Sequence, residues 1–189
     1  MGLHYAFPAA EITGVDLIPQ PKYPFKFIQY DACEFPLEGY DFIWASPPCQ
    51  LFAKTNKLNT GNHPDLIVPI RQKLTVSGVP YCIENVPQAP LLNPIMLCGG
   101  MFGLKTYRHR HFETNFVVRQ PYHPNHIHKQ AKMGRPPKAG EFIQVVGNYS
   151  GAELAREAME ITWLAAKEMS QAIPPAFSRY IAKFIPRDY

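Results

Sequence analysis

The chain has 189 residues, of which 46% are hydrophobic and 18% are charged, and its formal net charge is +4. This balance is typical of one well-packed globular domain with a small appendage. No apolar run approaches the roughly 20 residues of a membrane-spanning helix, and no signal-peptide core follows Met1, so we expect a soluble, cytoplasmic protein with no membrane partner.

Short apolar runs, bounded by Pro, Gly and Asp, recur through the first half of the chain. They predict strands over residues 11–16, 25–30, 40–45 and 80–84. Between the third and the fourth strand, residues 64–77 have helical composition and end at a glycine. Further helices are predicted over 152–159 and 174–184. Strands that alternate with a helix favour an α/β sheet with parallel crossovers.

Polar residues follow the ends of these predicted strands. In parallel sheets the carboxyl ends of the strands meet at one edge, so we expect a candidate site built from Asp16, Asp31, Cys49 and Glu84. A cysteine on a proline-stiffened turn, with a carboxylate from a neighbouring strand end, is suited to attacking an aromatic heterocycle.

The other cysteines, Cys33, Cys82 and Cys98, lie among apolar or strand-like residues. They are expected to be buried thiols. The four cysteines are widely spaced and form no CxxC pair, so the sequence predicts no structural disulfide and no metal site.

Positive charge is concentrated in one segment. Residues 114–140 contain no Asp or Glu, but they contain three histidines and five cations, Arg119, Lys129, Lys132, Arg135 and Lys138. This pattern fits contact with a polyanion, and it fits a solvated, partly disordered loop equally well.

Five motifs in chain order resemble those of the DNA cytosine-5 methyltransferases, in particular the compact phage versions. Pro47-Pro48-Cys49-Gln50 matches the cysteine motif, residues 84–86 match the ENV motif, and residues 106–110 resemble the QxRxR motif. Asp16 and Asp31 match the cofactor-site acids, and residues 170–175 resemble the carboxyl-terminal GNAVPP-like motif. The resemblance implies a Rossmann-like sheet that uses S-adenosylmethionine, in a bacterial or phage-infected cell.

The resemblance also implies a division of the chain. Residues 1–116 would form the catalytic core, 117–148 a small target-recognition region, and 149–189 carboxyl-terminal helices that return to the core. The family's first strand and FxGxGG loop have no counterpart here, so we expect both to be missing. The alternatives are therefore a truncated, inactive relative that only binds DNA, or one subunit of a split enzyme whose second chain supplies the loop.

By resemblance, the chemistry would rest on four residues. Cys49 would add to carbon 6 of a flipped cytosine, and Glu84 would contact the ring nitrogen N3 and the exocyclic amine. Arg108 and Arg110 would hold the base oxygen or a flanking phosphate. From the residues alone, Glu84 could equally be a cap or a solvated residue, and the arginines could lie on an exposed edge strand that pairs with Glu113.

Two further sets of residues are implied. Those expected to bind S-adenosylmethionine are Asp16, Leu17, Asp31, Ala32, Pro47 and Gln171. Those expected to contact double-stranded DNA are Gln50, Arg119, Lys129, Lys132 and Arg135. The two aspartates also have plain structural interpretations, as a turn residue and a helix cap.

Overall fold

Mixed α/β structure, as expected, is found in the computed structural model, which describes residues 2–52 and 64–186. The described chain divides into two units. Unit 1 comprises residues 2–8, 97–109 and 120–183, and unit 2 comprises 9–52, 64–96, 110–119 and 184–186. The functional division predicted at residues 116 and 148 stays a prediction.

Two parallel strand pairs underlie unit 2. Strand β1 (Thr13–Asp16) pairs with β2 (Lys26–Gln29), and β3 (Ile43–Ala45) pairs with β4 (Tyr81–Asn85). The second pair belongs to a sheet of order β3-β4-β6-β5, in which β6 (Arg110–Thr114) runs antiparallel to β4, and β5 spans Ile95–Leu97. All four predicted strands are therefore present; the first three are shorter than their apolar runs, and β4 is shifted by one residue.

Helix α2 (Ile67–Ser77) is the predicted crossover between β3 and β4. The Ile67 amide donates to Asp65 Oδ1 at 3.0 Å, which satisfies one free amide of the first turn. The helix ends at Gly78, whose φ of 68° is a left-handed conformation that glycine adopts without strain. Its buried side chains, including Ile70 and Leu74, pack with Tyr81 and Ile83 of β4.

Unit 1 contains the remaining helices. These are α1 (Gly2–Ala6), a 3₁₀ helix (Gly99–Phe102), α3 (Ala152–Met159), α4 (Ala166–Met169) and α5 (Pro175–Ala182). The apolar faces of α3 and α4 meet Ile143 and Val145 in a buried core. Within residues 2–52 and 64–186, every helix is too short or too polar to span a bilayer.

Candidate active site

Cys49 lies on the turn that follows β3, and an amide side chain at the end of β4 fixes this turn. Asn85 Nδ2 donates to the Pro47 carbonyl at 3.0 Å, while its Oδ1 accepts from the Val86 amide at 2.8 Å. Asn85 is almost fully buried. Cys49 itself is half-buried and packs against the cluster that contains Val86. The cysteine turn and the end of β4 are therefore held together, as the sequence predicts.

Glu84 belongs to the same edge of unit 2. It is 8% exposed, and Arg110 Nε lies 2.9 Å from its Oε1. The register explains this ion pair, because Glu84 lies opposite Phe112 and Arg110 precedes Phe112 by two residues on the same face of the sheet. Cys49, Glu84 and Arg110 thus come from three neighbouring strands of one sheet.

Arg108 has a different environment, in unit 1. Its buried guanidinium donates to the carbonyl oxygens of Val145 and Ser170, the second at 2.8 Å. Arg108 thus joins two segments of unit 1, and its expected contact with the base or phosphate stays a prediction.

The proposed alternative, an edge strand pairing with Glu113, does not describe these arginines. Glu113 binds Arg71 of α2 through two hydrogen bonds, 2.6 and 2.8 Å long. Strand β6, which carries Arg110, lies between β4 and β5 in the sheet.

The expected cofactor acids lie at corresponding ends of β1 and β2. Asp16 ends β1, and its Oδ1 accepts from the Ile18 amide at 2.8 Å. Asp31 follows β2, and its Oδ1 accepts from the Cys33 amide at 2.8 Å. Both carboxylates therefore stabilise turns, as the structural interpretation of Asp16 predicts, whereas the residues after Asp31 form a turn and not the helix that a cap would require. Leu17, beside Asp16, is 63% exposed, so an apolar surface adjoins the carboxylates.

The loop after β2 connects this edge to the cysteine sheet. Cys33 packs with the core formed by α2 and β4, and Lys73 of α2 donates to the Cys33 carbonyl at 2.7 Å. Ala32 is exposed, and Pro47 is half-buried. Gln171 is exposed just after α4, in unit 1.

Gln50 follows the cysteine directly. Its Oε1 is buried and has no hydrogen-bond partner among residues 2–52 and 64–186. A buried acceptor without a partner is costly, so it marks a position where a donor from a ligand would be favourable. The rest of the loop after Cys49, which we expect to help extrude the base, lies outside the described residues beyond Phe52.

The expected DNA-contacting cations differ in their surroundings. Arg119, Lys129 and Lys132 are exposed. Arg135 instead forms two hydrogen bonds with Glu141, 2.7 and 2.9 Å long, and this contact, with the Lys138 amide, lowers the pKa of Glu141 to about 2. Part of the segment's positive charge is therefore neutralised locally.

The four cysteines are free, as expected. Cys82 and Cys98 are buried, and burial raises the pKa of both thiols, that of Cys82 strongly. The sequence interpretation missed two features: the positioning role of Asn85, and a cluster of metal-ligating side chains around Cys98. The asparagine of the ENV motif was a signal for the first, whereas the second had no CxxC pattern to reveal it.

The chain was also compared with known proteins. No protein-family model matches it, and no curated protein matches it. The candidate site is therefore described by its own geometry: a thiol and a carboxylate at the ends of two adjacent parallel strands, joined through Asn85.

Proposed function

We propose that this chain is a DNA cytosine-5 methyltransferase of the compact phage type, with a Rossmann-like sheet. The observation that supports this function best is the placement of Cys49 on the turn after β3 and of Glu84 near the end of the adjacent parallel strand β4, with Asn85 linking the cysteine turn to β4. A nucleophile and a carboxyl group on one sheet edge can act on opposite sides of a single pyrimidine ring.

In this mechanism Cys49 forms a bond from its sulfur to carbon 6 of the cytosine, and an electron pair moves to carbon 5. Glu84 stabilises the ring at N3 and the exocyclic amine while charge develops there. Arg110 holds the Glu84 carboxylate in one orientation, so the group is preorganised before the base arrives. Carbon 5 would then use this electron pair to bond to the methyl group that bound S-adenosylmethionine would supply, and loss of the carbon 5 proton to a base would restore the ring double bond and expel the thiolate.

The edge formed by β1 and β2 fits S-adenosylmethionine. Carboxylates such as Asp16 and Asp31 can accept hydrogen bonds from ribose hydroxyls and an adenine amine, and the exposed Leu17 offers an apolar surface to the ring. Ala32 follows Asp31, and Pro47 lies on the cysteine turn after β3. When bound, the cofactor supplies an electrophilic methyl group.

A cytosine in a duplex is stacked out of reach, so the base must be extruded at a cost of a few kcal/mol. The exposed Lys129 and Lys132 would bind phosphates and offset part of this cost. Gln50 directly follows Cys49, and its buried side-chain oxygen has no partner within the described part of the chain, so it would contact the DNA near the vacated position.

Covalent trapping tests this proposal without knowledge of the target sequence. The protein would be incubated with S-adenosylmethionine and long duplex DNA that carries 5-fluorocytosine at every cytosine. A base can remove hydrogen from carbon 5 as a proton but cannot remove fluorine in this way. The thiolate is therefore not expelled, and the adduct persists on a denaturing gel. We expect an adduct with the native chain and with the Cys33→Ser control, and none with Cys49→Ser.

Three results would contradict the proposal. If Cys49→Ser forms the adduct as well as the native chain, the nucleophile is wrong. If the native chain binds DNA but forms no adduct, a DNA-binding relative without transferase activity is the better description. Should an adduct form only once a second chain is added, the split-enzyme alternative holds.

A further inference from the structure

Four metal-ligating side chains of unit 1 converge outside the candidate active site. They are Cys98, His109, His123 and His126, and their ligand atoms all lie within 4.8 Å of one another. Cys98 Sγ is 3.3 Å from His126 Nε2, and His109 Nε2 is 3.2 Å from His123 Nε2. The four residues come from three separate segments, so chance proximity along the chain does not explain the cluster.

The two shorter distances, 3.3 and 3.2 Å, are close to the edges of a tetrahedral zinc site, and the remaining pairs lie within 4.8 Å. Zinc binds histidine nitrogen at about 2.0–2.1 Å and thiolate sulfur at about 2.3 Å, so the edges of the tetrahedron measure about 3.3 Å between nitrogens and about 3.6 Å between sulfur and nitrogen. Thiolate and imidazole are ligands that zinc favours, whereas magnesium and calcium prefer oxygen. Four protein ligands leave no open position, which is typical of structural rather than catalytic zinc.

The surrounding structure holds the ligands in place. The Gly99 amide donates to the Tyr107 carbonyl at 2.7 Å, which brings Cys98 beside the segment that carries His109. A side chain at residue 99 would put its Cβ 2.0 Å from the Thr106 carbonyl oxygen, so this close approach requires glycine. The Tyr107 ring stacks on His126 at 3.5 Å between centroids, and its hydroxyl hydrogen-bonds the backbone of His128.

We propose that Cys98, His109, His123 and His126 bind one structural zinc ion. The ion joins the histidine-containing part of the basic segment (residues 117–140) to residues 98–109 of the same unit. Neutral imidazole and thiolate are the forms that bind the metal, so zinc binding should release protons. This proposal does not depend on the methyltransferase function.

Metal analysis and cobalt substitution test the site. The purified full chain should contain one zinc per molecule by mass spectrometry of its metal content. After removal of the zinc with a chelator, added Co²⁺ should give the visible bands of tetrahedral cobalt together with a thiolate charge-transfer band. Zinc should displace the cobalt and abolish both signals.

Variants identify the ligands. We expect Cys98→Ser to abolish the charge-transfer band, and His126→Ala to weaken zinc binding by more than about 100-fold, beyond the loss seen for outer-shell partners. His128→Ala, a matched histidine of the same segment outside the cluster, should retain one zinc. Because His126→Ala could misfold, His123→Cys provides a second test: it keeps four ligands and should bind cobalt with a stronger charge-transfer band.

Two outcomes would overturn the proposal. One is a protein that is purified without zinc and gives no tetrahedral cobalt spectrum. The other is undiminished zinc binding by both Cys98→Ser and His126→Ala, which would place the ion elsewhere.

Discussion

Replacing Arg71 by methionine should destabilise unit 2 by about 3–5 kcal/mol, because it leaves a buried carboxylate without its cation. Glu113 is 3% exposed and binds Arg71 through both of its oxygens. Arg71 also donates to the Pro90 carbonyl at 2.8 Å, and the contact with Glu113 raises its pKa. In Arg71→Met, the Glu113 carboxylate keeps the hydrogen bond from the Leu92 amide, at 2.7 Å, but loses its balancing charge.

A double variant separates the charge from the packing. In Arg71→Met with Glu113→Gln, the glutamine oxygen can still accept from the Leu92 amide, and no buried charge remains. We therefore expect the double variant to recover at least about 2 kcal/mol relative to Arg71→Met, since replacing both members of a buried pair is far less costly than removing one.

The assay exploits the two tryptophans, because Trp44 lies in unit 2 and Trp163 in unit 1. In a Trp163→Phe background, urea unfolding followed by fluorescence reports on unit 2 alone. If Arg71→Met lowers the free energy of unfolding of unit 2 by less than about 1 kcal/mol, which is the range of an exposed ion pair, the reasoning is refuted. So would a double variant that is as unstable as Arg71→Met.

Three other predictions concern unit 1. Gly99→Ala should destabilise the unit by about 3 kcal/mol through its clash with backbone, measured by denaturation followed through Trp163. Arg135→Ala should raise the pKa of Glu141 from about 2 toward about 4.3, measured by carboxyl NMR. Because folding lowers the pKa of Glu141, its pairing with Arg135 stabilises the native chain above about pH 4.3, and this stabilisation is lost as the pH falls toward about 2. Lys129→Gln with Lys132→Gln should reduce the salt slope of DNA binding by about 2, and an unchanged slope would exclude both phosphate contacts.

The strands of unit 2 were predictable because their apolar runs end at turn-forming or acidic residues. Asp16, Asp31 and Glu84 lie at or just after strand ends, where the expected carboxylates were placed. Strand β6 was expected only as an alternative, an exposed edge strand, and its place inside the sheet was not predicted, because its sequence Arg-His-Phe-Glu-Thr is largely polar. Its charged residues can be accommodated in the sheet because Arg110 pairs with Glu84 and Glu113 pairs with Arg71. Pairing between residues that are distant in the sequence leaves no local sequence pattern.

In unit 1, even more of the important contacts join residues that the sequence pattern does not link. The positive charge of the basic segment can be counted from sequence, but the neutralisation of Arg135 by Glu141 depends on the turn that brings them together. The convergence of Cys98 with three histidines likewise depends on tertiary structure, so the sequence-based expectation of no metal site rested on spacing alone. Motif spacing locates ligands that are close in sequence and cannot detect those that folding assembles.

The single asparagine beside Glu84 limits how the cysteine turn can evolve. Its amide uses a donor toward one backbone oxygen and an acceptor toward one backbone nitrogen, so aspartate, although similar in size, loses the first bond, and leucine loses both. Because both partners are main-chain atoms, the side chains of the turn can change freely while this residue stays. Variation at this edge should therefore alter the surface around the turn before it alters the position of the Cys49 sulfur.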